Sequence, residues 1–152
     1  MSSRPLISPR RNLYEEDFVA WTAETAQLLR SGRLGEVDIE HVAEELDDMG
    51  KSQRRELESR LTTLILHLLK WRHQPDKRKG GWAATISEQR AEMQRLFRDS
   101  PSLRPALSKS IREVYPEAVE RAGHETGLPR RAYPERCPFT ADQILDRNFL
   151  PE

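Results

Sequence analysis

Carboxylate and imidazole side chains occur together in one acidic segment of the chain. In a helix, the spacing of Asp38, His41 and Glu45 would bring them to one side, and His67 lies at the edge of the apolar stripe of a later predicted helix. Such groups converge between helices in di-metal bundle enzymes. Those sites repeat a Glu-x-x-His pattern on two helices, whereas this sequence contains only a single Asp38-x-x-His41. These four residues are the candidate metal ligands.

The alternative for the same residues is structural. Glu45 paired with His67, or with Arg90, would form a buried polar link that fixes the register of neighbouring helices, since pairing offsets the cost of burying a charge. Gln89 interrupts the apolar stripe of its own helix and needs a hydrogen-bond partner if it is buried. We favour this polar network (Glu45, His67, Gln89 and Arg90) over a metal site, and we predict no cofactor.

A basic segment with tryptophans at its ends is the second candidate site. Cationic side chains neutralise phosphates, and exposed indoles stack on unpaired bases. Both Trp71 and Trp82 continue apolar stripes, however, which favours a place in the core. Nucleic-acid binding is therefore an alternative rather than the leading hypothesis. The candidate contacts are Lys70, Arg72, Lys77, Arg78 and Lys79.

Nucleophilic catalysis has one candidate, Cys137, because a neighbouring arginine can lower the pKa of a thiol. Neither a histidine nor a catalytic spacing accompanies it in the sequence, and we predict no catalytic residues. The sequence leans against an enzyme. A lone cysteine also excludes an internal disulfide framework and a zinc site built from cysteines.

The elements that must position these residues are helices, since apolar residues recur at three- and four-residue steps. In the second predicted helix, we expect Ile39, Val42, Ala43, Leu46 and Met49 to form a buried stripe. Gly50 either ends this helix or bends it into the third, which is apolar nearly all round in its second half and is expected to be central. Pro116 is expected to kink the fifth helix or to split it at Tyr115. The predicted ranges are about 14–31, 38–49, 52–71, 82–98 and 100–126.

Prolines dominate the chain from Leu128 onward, which predicts an extended strap over 130–139. Thr140 and Gln143 match a capping box that begins a short last helix. The prediction is an all-α protein: a single-domain helical bundle of about five to six helices over 13–152, with its main bundle over about 13–127, the strap and last helix over 128–152, and a disordered tail over 1–12.

Composition excludes several classes of protein. Charged residues are 33% of the chain, but 25 basic and 25 acidic side chains cancel. Whole-molecule attraction to nucleic acid or to an acidic membrane is therefore not expected. The sequence contains neither a transmembrane span nor a secretory signal, so we predict a cytoplasmic protein without a membrane partner.

Several short stretches occur in an order typical of a bacterial family. They are Tyr14 to Trp21, Ala43 to Gly50, His67 to Trp71, Glu88 to Arg90, Ser100 to Leu103 and Cys137 to Thr140. In this ordered set, the chain resembles the family called domain of unknown function 29. The resemblance implies an all-helical fold and no established activity, and hence no catalytic residues to carry over.

The absence of catalytic spacing, with acidic and basic stretches segregated around a modest core, favours a non-enzymatic module that binds another macromolecule. We expect an unknown protein partner or self-association. Nucleic-acid binding through Lys70–Lys79 and a metal-dependent bundle enzyme around Glu45 and His67 are the alternatives.

Overall fold

A computed structural model describes residues 12–152, which contain six α-helices joined by turns and short 3-10 segments. The helices are α1 (Leu13–Glu16), α2 (Phe18–Arg30), α3 (Ile39–His73), α4 (Gly80–Asp99), α5 (Leu107–Thr126) and α6 (Ala141–Leu145). No strand occurs within this part of the chain. The all-α prediction is confirmed. Apart from Asn12, the tail predicted over 1–12 lies outside the described residues.

The chain divides into two compact units, one ending at Gly50 and the other covering Lys51–Glu152. Helix α3 begins in the first unit and continues through the second, so the separate helices predicted over 38–49 and 52–71 are one helix. An exposed glycine costs a helix only about 1 kcal/mol relative to alanine, so Gly50 by itself does not end α3.

The hydrophobic core lies within residues 51–152. The second half of α3 is its centre, as predicted: Leu61, Leu64, Ile65, Leu68 and Leu69 have no exposed surface. Buried side chains of α4 and α5 complete the core, including Ile86, Met93, Leu96, Phe97, Ile111, Val114, Ala118 and Val119. The apolar stripes predicted for these helices are buried here, because each stripe packs against a neighbouring helix.

We expected Pro116 to kink α5 or to split it at Tyr115; the helix runs from Leu107 to Thr126 with Pro116 inside it, so the split does not occur. The Tyr115 hydroxyl donates to the Pro134 carbonyl at 2.6 Å, which ties the proline-rich strap to α5. The helix ends at Gly127, whose φ of 75° is the left-handed conformation favoured by glycine. This strap therefore has a defined attachment to the core.

The last helix is anchored at both ends. Thr140 and Gln143 form the predicted capping box at its start. At its end, Arg90 of α4 donates from Nε to the Ile144 carbonyl at 2.8 Å and from Nη2 to the Gln143 carbonyl at 3.2 Å. The Arg90 side chain is only 2% exposed. A buried guanidinium thus satisfies carbonyls that a helix C-terminus leaves without partners.

Residues 12–50 form a smaller unit in which the first predicted helix is divided in two. Asp17 leaves the helical conformation between α1 and α2, and its side chain accepts a hydrogen bond from the Ala20 amide at 3.0 Å. An aspartate that caps α2 thereby ends α1. Only Trp21 and Thr25 of α2 are buried.

In residues 12–152, no helix combines the length and the apolar composition needed to cross a membrane.

Candidate functional site

Tyr14 connects α1 to the beginning of α3. Its hydroxyl donates to Glu45 Oε1 at 2.5 Å, and its ring stacks on His41 with the centroids 3.9 Å apart. The Tyr14 ring also meets the Trp21 ring edge-on, with the centroids 4.8 Å apart. The hydrogen bond to Glu45, together with burial and nearby carboxylates, raises the pKa of Tyr14 to about 12. Tyr14 is thus a protonated tether at neutral pH.

Asp38 and His41 form a second pair on the same turn of chain. Asp38 Oδ2 lies 2.5 Å from His41 Nδ1, and Asp38 Oδ1 accepts from the His41 amide at 3.3 Å. The side-chain hydrogen bond raises the pKa of His41 and lowers that of Asp38, because it stabilises the imidazolium and the carboxylate. Asp38 therefore acts as a local cap at the start of α3.

These contacts give separate partners to the four candidate metal ligands. Asp38 and His41 bind each other, Glu45 binds Tyr14, and His67 Nδ1 lies 2.8 Å from the Thr63 carbonyl within its own helix. In the described part of the chain, no group of three or more His, Cys, Asp or Glu side chains is positioned to hold a metal ion.

The predicted polar network is likewise divided among other partners. Glu45 and His67 belong to one helix, so they do not form the interhelical link that we expected. Gln89 Oε1 accepts from Arg60 Nη1 at 3.3 Å, and Arg90 binds carbonyls of α6. Gln89 and Arg90 are therefore structural residues with partners that differ from the predicted ones.

The basic segment is partly committed to contacts within its own unit. Lys70 Nζ lies 2.9 Å from Glu125 Oε2 and sits over the Trp82 ring, while Arg78 donates to the Trp71 carbonyl at 2.8 Å and covers the Trp71 ring. The other three candidate contacts have exposed side chains: Arg72, Lys77 and Lys79. Trp71 is half-buried, and both indole rings, Trp71 and Trp82, have a cationic side chain placed over them. The segment therefore offers a nucleic acid fewer free cations than the sequence suggested, and it does not present two uncovered indole rings on which bases could stack.

Cys137 lies beside an open cleft of about 710 Å³ whose lining includes Arg112, Arg136 and Phe139. Burial raises the pKa of the Cys137 thiol despite the neighbouring arginine. A protonated thiol is a poor nucleophile. The geometry thus gives Cys137 a packing role against the core.

Among residues 12–152, the exposed large hydrophobic side chains are concentrated in residues 12–50. Ile39, Leu46 and Met49 of α3 are 67%, 62% and 65% exposed, so their prediction as a buried stripe is wrong. Their spacing, with half-buried Val42 among them, places them along one side of the helix. Of the eight exposed large hydrophobic side chains in the described residues, seven belong to this unit: Phe18, Val19, Leu29, Leu34, Ile39, Leu46 and Met49.

The same unit is strongly acidic, whereas the rest of the chain is basic. Residues 12–50 contain eleven acidic side chains against two arginines, a formal charge of −9, and one of those arginines, Arg33, is bound by Glu36. Residues 51–152 contain twenty basic and fourteen acidic side chains, a formal charge of +6. We call the exposed apolar side chains of residues 12–50, together with the carboxylates of the same residues, the acidic apolar surface.

Sequence reasoning missed this surface because a helical stripe has the same spacing whether or not another element covers it. It also missed Tyr14 as the partner of Glu45. The available signal was the charge of the segment: eleven acidic residues in so short a stretch leave little room for a buried interior.

The chain belongs to a protein family, described as "Domain of unknown function DUF29", whose model matches residues 13–150. The match covers nearly the whole chain and agrees with the resemblance read from the ordered short stretches. No curated protein and no solved structure matched the chain.

Proposed function

We propose that this DUF29 protein is a protein-binding module and that the acidic apolar surface of residues 12–50 is its recognition surface. The supporting observation is the concentration of exposed apolar side chains there: seven in residues 12–50 against Leu150 alone among the described residues that follow. A row of exposed apolar side chains, such as Ile39, Leu46 and Met49 along α3, favours an interaction site because water solvates such side chains unfavourably. Residues 51–152 supply the folded core, and we place this binding in the cytoplasm.

The composition of the surface supports a protein partner over a small molecule. The cleft in this unit, about 610 Å³ and bordered by Tyr14, Trp21 and Arg33, is open to solvent, whereas Ile39, Leu46 and Met49 project from the outside of α3. Small-molecule sites enclose most of their ligand in a concave pocket. Projecting apolar side chains instead provide anchors for another protein surface.

Site-specific photocrosslinking in the protein's own cells tests the proposal. A photoreactive amino acid replaces Ile39 in one chain and Lys109, an exposed residue of α5, in a control chain. We expect a discrete covalent adduct with another protein from position 39 and none of the same mass from position 109. Equal patterns from both positions, or no adduct from position 39, would overturn the proposal.

Nucleic-acid binding through the Lys70–Lys79 segment is the alternative, supported by the +6 charge of residues 51–152 and by exposed Lys77 and Lys79. A Lys77→Glu, Lys79→Glu protein should then bind single-stranded RNA more weakly and with a shallower salt dependence, by about 0.7 in the log–log slope for each phosphate that the variant no longer neutralises. If the unmodified protein shows no salt-dependent binding, this alternative is refuted.

A further inference from the structure

We infer that the partner of the acidic apolar surface is a basic amphipathic helix of another protein. This inference rests on the proposed function and assigns the chemistry of the partner. It follows from three features of residues 12–50: the spacing of the exposed apolar side chains, their formal charge of −9 and the distribution of apolar surface over the rest of the chain.

The spacing favours a helical partner. From Ile39 through Val42 and Leu46 to Met49, the apolar side chains of α3 recur at steps of three, four and three residues. At 1.5 Å per residue, this row is about 15 Å long. An amphipathic helix presents apolar anchors at the same steps and lies along such a row.

Two other common modes of peptide binding lack the necessary surface. An extended peptide adds to a sheet edge, and residues 12–152 contain no strand. A proline-rich peptide needs a groove lined by open aromatic faces. Here the rings of Tyr14, Phe18 and Trp21 pack against one another, with centroids 4.8 to 5.8 Å apart, and Trp21 is only 8% exposed.

The negative charge of residues 12–50 favours a positively charged partner. Glu44, Asp47 and Asp48 are exposed on the same two turns of α3 as Leu46 and Met49, but at about 100° per residue they lie on the sides and back of the helix, away from the apolar row. Their charge acts on a partner at a distance: the formal charge of −9 of residues 12–50 attracts a partner helix that carries lysines and arginines, which increases the association rate and disfavours acidic partners. The same negative charge opposes the phosphates of a nucleic acid.

A second copy of the chain fits the surface less well than a foreign helix. Pairing two acidic apolar surfaces would match their apolar residues but would bring together two regions of charge −9. Pairing the surface with the basic residues 51–152 would match the charges, but that range exposes only one large hydrophobic side chain among the described residues, Leu150. Only a partner that is both basic and apolar satisfies both requirements.

A fluorescence-anisotropy titration of the full chain tests this inference with two synthetic helical peptides. The peptides share a leucine row at positions i, i+3, i+7 and i+10, and differ in that one carries lysines and arginines where the other carries glutamates. We expect the basic peptide to bind at least tenfold more tightly, and we expect its affinity to fall with added salt.

Matched variants locate the binding site. Leu46→Ser with Met49→Ser should weaken binding of the basic peptide at least tenfold. Asp47→Lys with Asp48→Lys, which changes the charge near the apolar row but not within it, should weaken binding at least threefold. Glu117→Lys with Glu120→Lys on exposed positions of α5 makes the same change of charge outside the surface and should change the affinity less than threefold. Circular dichroism of each variant establishes that it is folded.

Each remaining outcome contradicts the inference in a distinguishable way. Equal affinity for the two peptides would show that the partner does not need to be basic. Equal effects of the two charge-reversal pairs would show that the peptide does not bind at the acidic apolar surface. Absence of peptide binding, with the adduct at position 39 still formed in cells, would refute the helical basic partner but preserve the proposed function. An adduct with the mass of two chains would identify a second copy as the partner.

Discussion

Replacing Arg90 by methionine should destabilise the protein by about 1–3 kcal/mol. Methionine keeps an apolar stem but removes both hydrogen bonds to the end of α6. The Ile144 carbonyl is buried, so the loss of its partner costs about 1–3 kcal/mol, and the partly buried Gln143 carbonyl adds a smaller cost because water reaches it. Relief from burying the guanidinium, whose pKa burial lowers, opposes these costs in part.

Urea unfolding followed by circular dichroism measures this change in free energy. Arg147→Met is the matched control, since Arg147 is exposed and makes one hydrogen bond of 3.2 Å to Gln94. We expect the control to lie within about 0.5 kcal/mol of the unmodified protein. Hydrogen exchange at the Ile144 and Asp146 amides should accelerate in Arg90→Met. If Arg90→Met matches the control, Arg90 does not anchor α6.

Three further predictions concern the caps and tethers of the helices. Thr140→Ala should cost about 1 kcal/mol in urea unfolding, because it removes one half of the capping box; an unchanged midpoint would contradict this. Asp38→Asn should lower the pKa of His41 in an NMR titration, since Asp38 is what raises it; an unchanged titration would show that the pair does not form. Tyr14 binds its proton more tightly in the folded state, so its contribution to stability falls as pH rises from about 10 to about 12, and Tyr14→Phe should remove that part of the pH dependence. The same slope in both proteins would refute the tether.

The fold was predictable where every apolar stripe has a covering neighbour. The second half of α3 is apolar on most of its circumference, so its central position followed from the sequence alone. The capping box at Thr140 was also predictable, because both of its hydrogen bonds join residues three apart in the sequence. Local contacts of this kind depend little on tertiary structure.

The candidate site was less predictable because its decisive contacts are not local. Glu45 and Arg90 were identified as polar residues that need partners, but Glu45 binds the hydroxyl of Tyr14 and Arg90 binds backbone carbonyls. Every residue carries a carbonyl, so such a partner leaves no mark in the sequence. The exposure of Leu46 was hidden for a related reason: its spacing is helical whether or not another element covers it.

The most direct measurement of the central claim is the yield of the position-39 photocrosslink in cells when the neighbouring anchors become polar. In chains carrying Leu46→Ser and Met49→Ser, we expect the adduct to fall at least tenfold, with circular dichroism and protein level unchanged because both side chains are exposed. A control carrying Glu117→Ser and Glu120→Ser should retain it. An undiminished adduct in the Leu46→Ser, Met49→Ser chain would contradict the assignment of this surface as the recognition site.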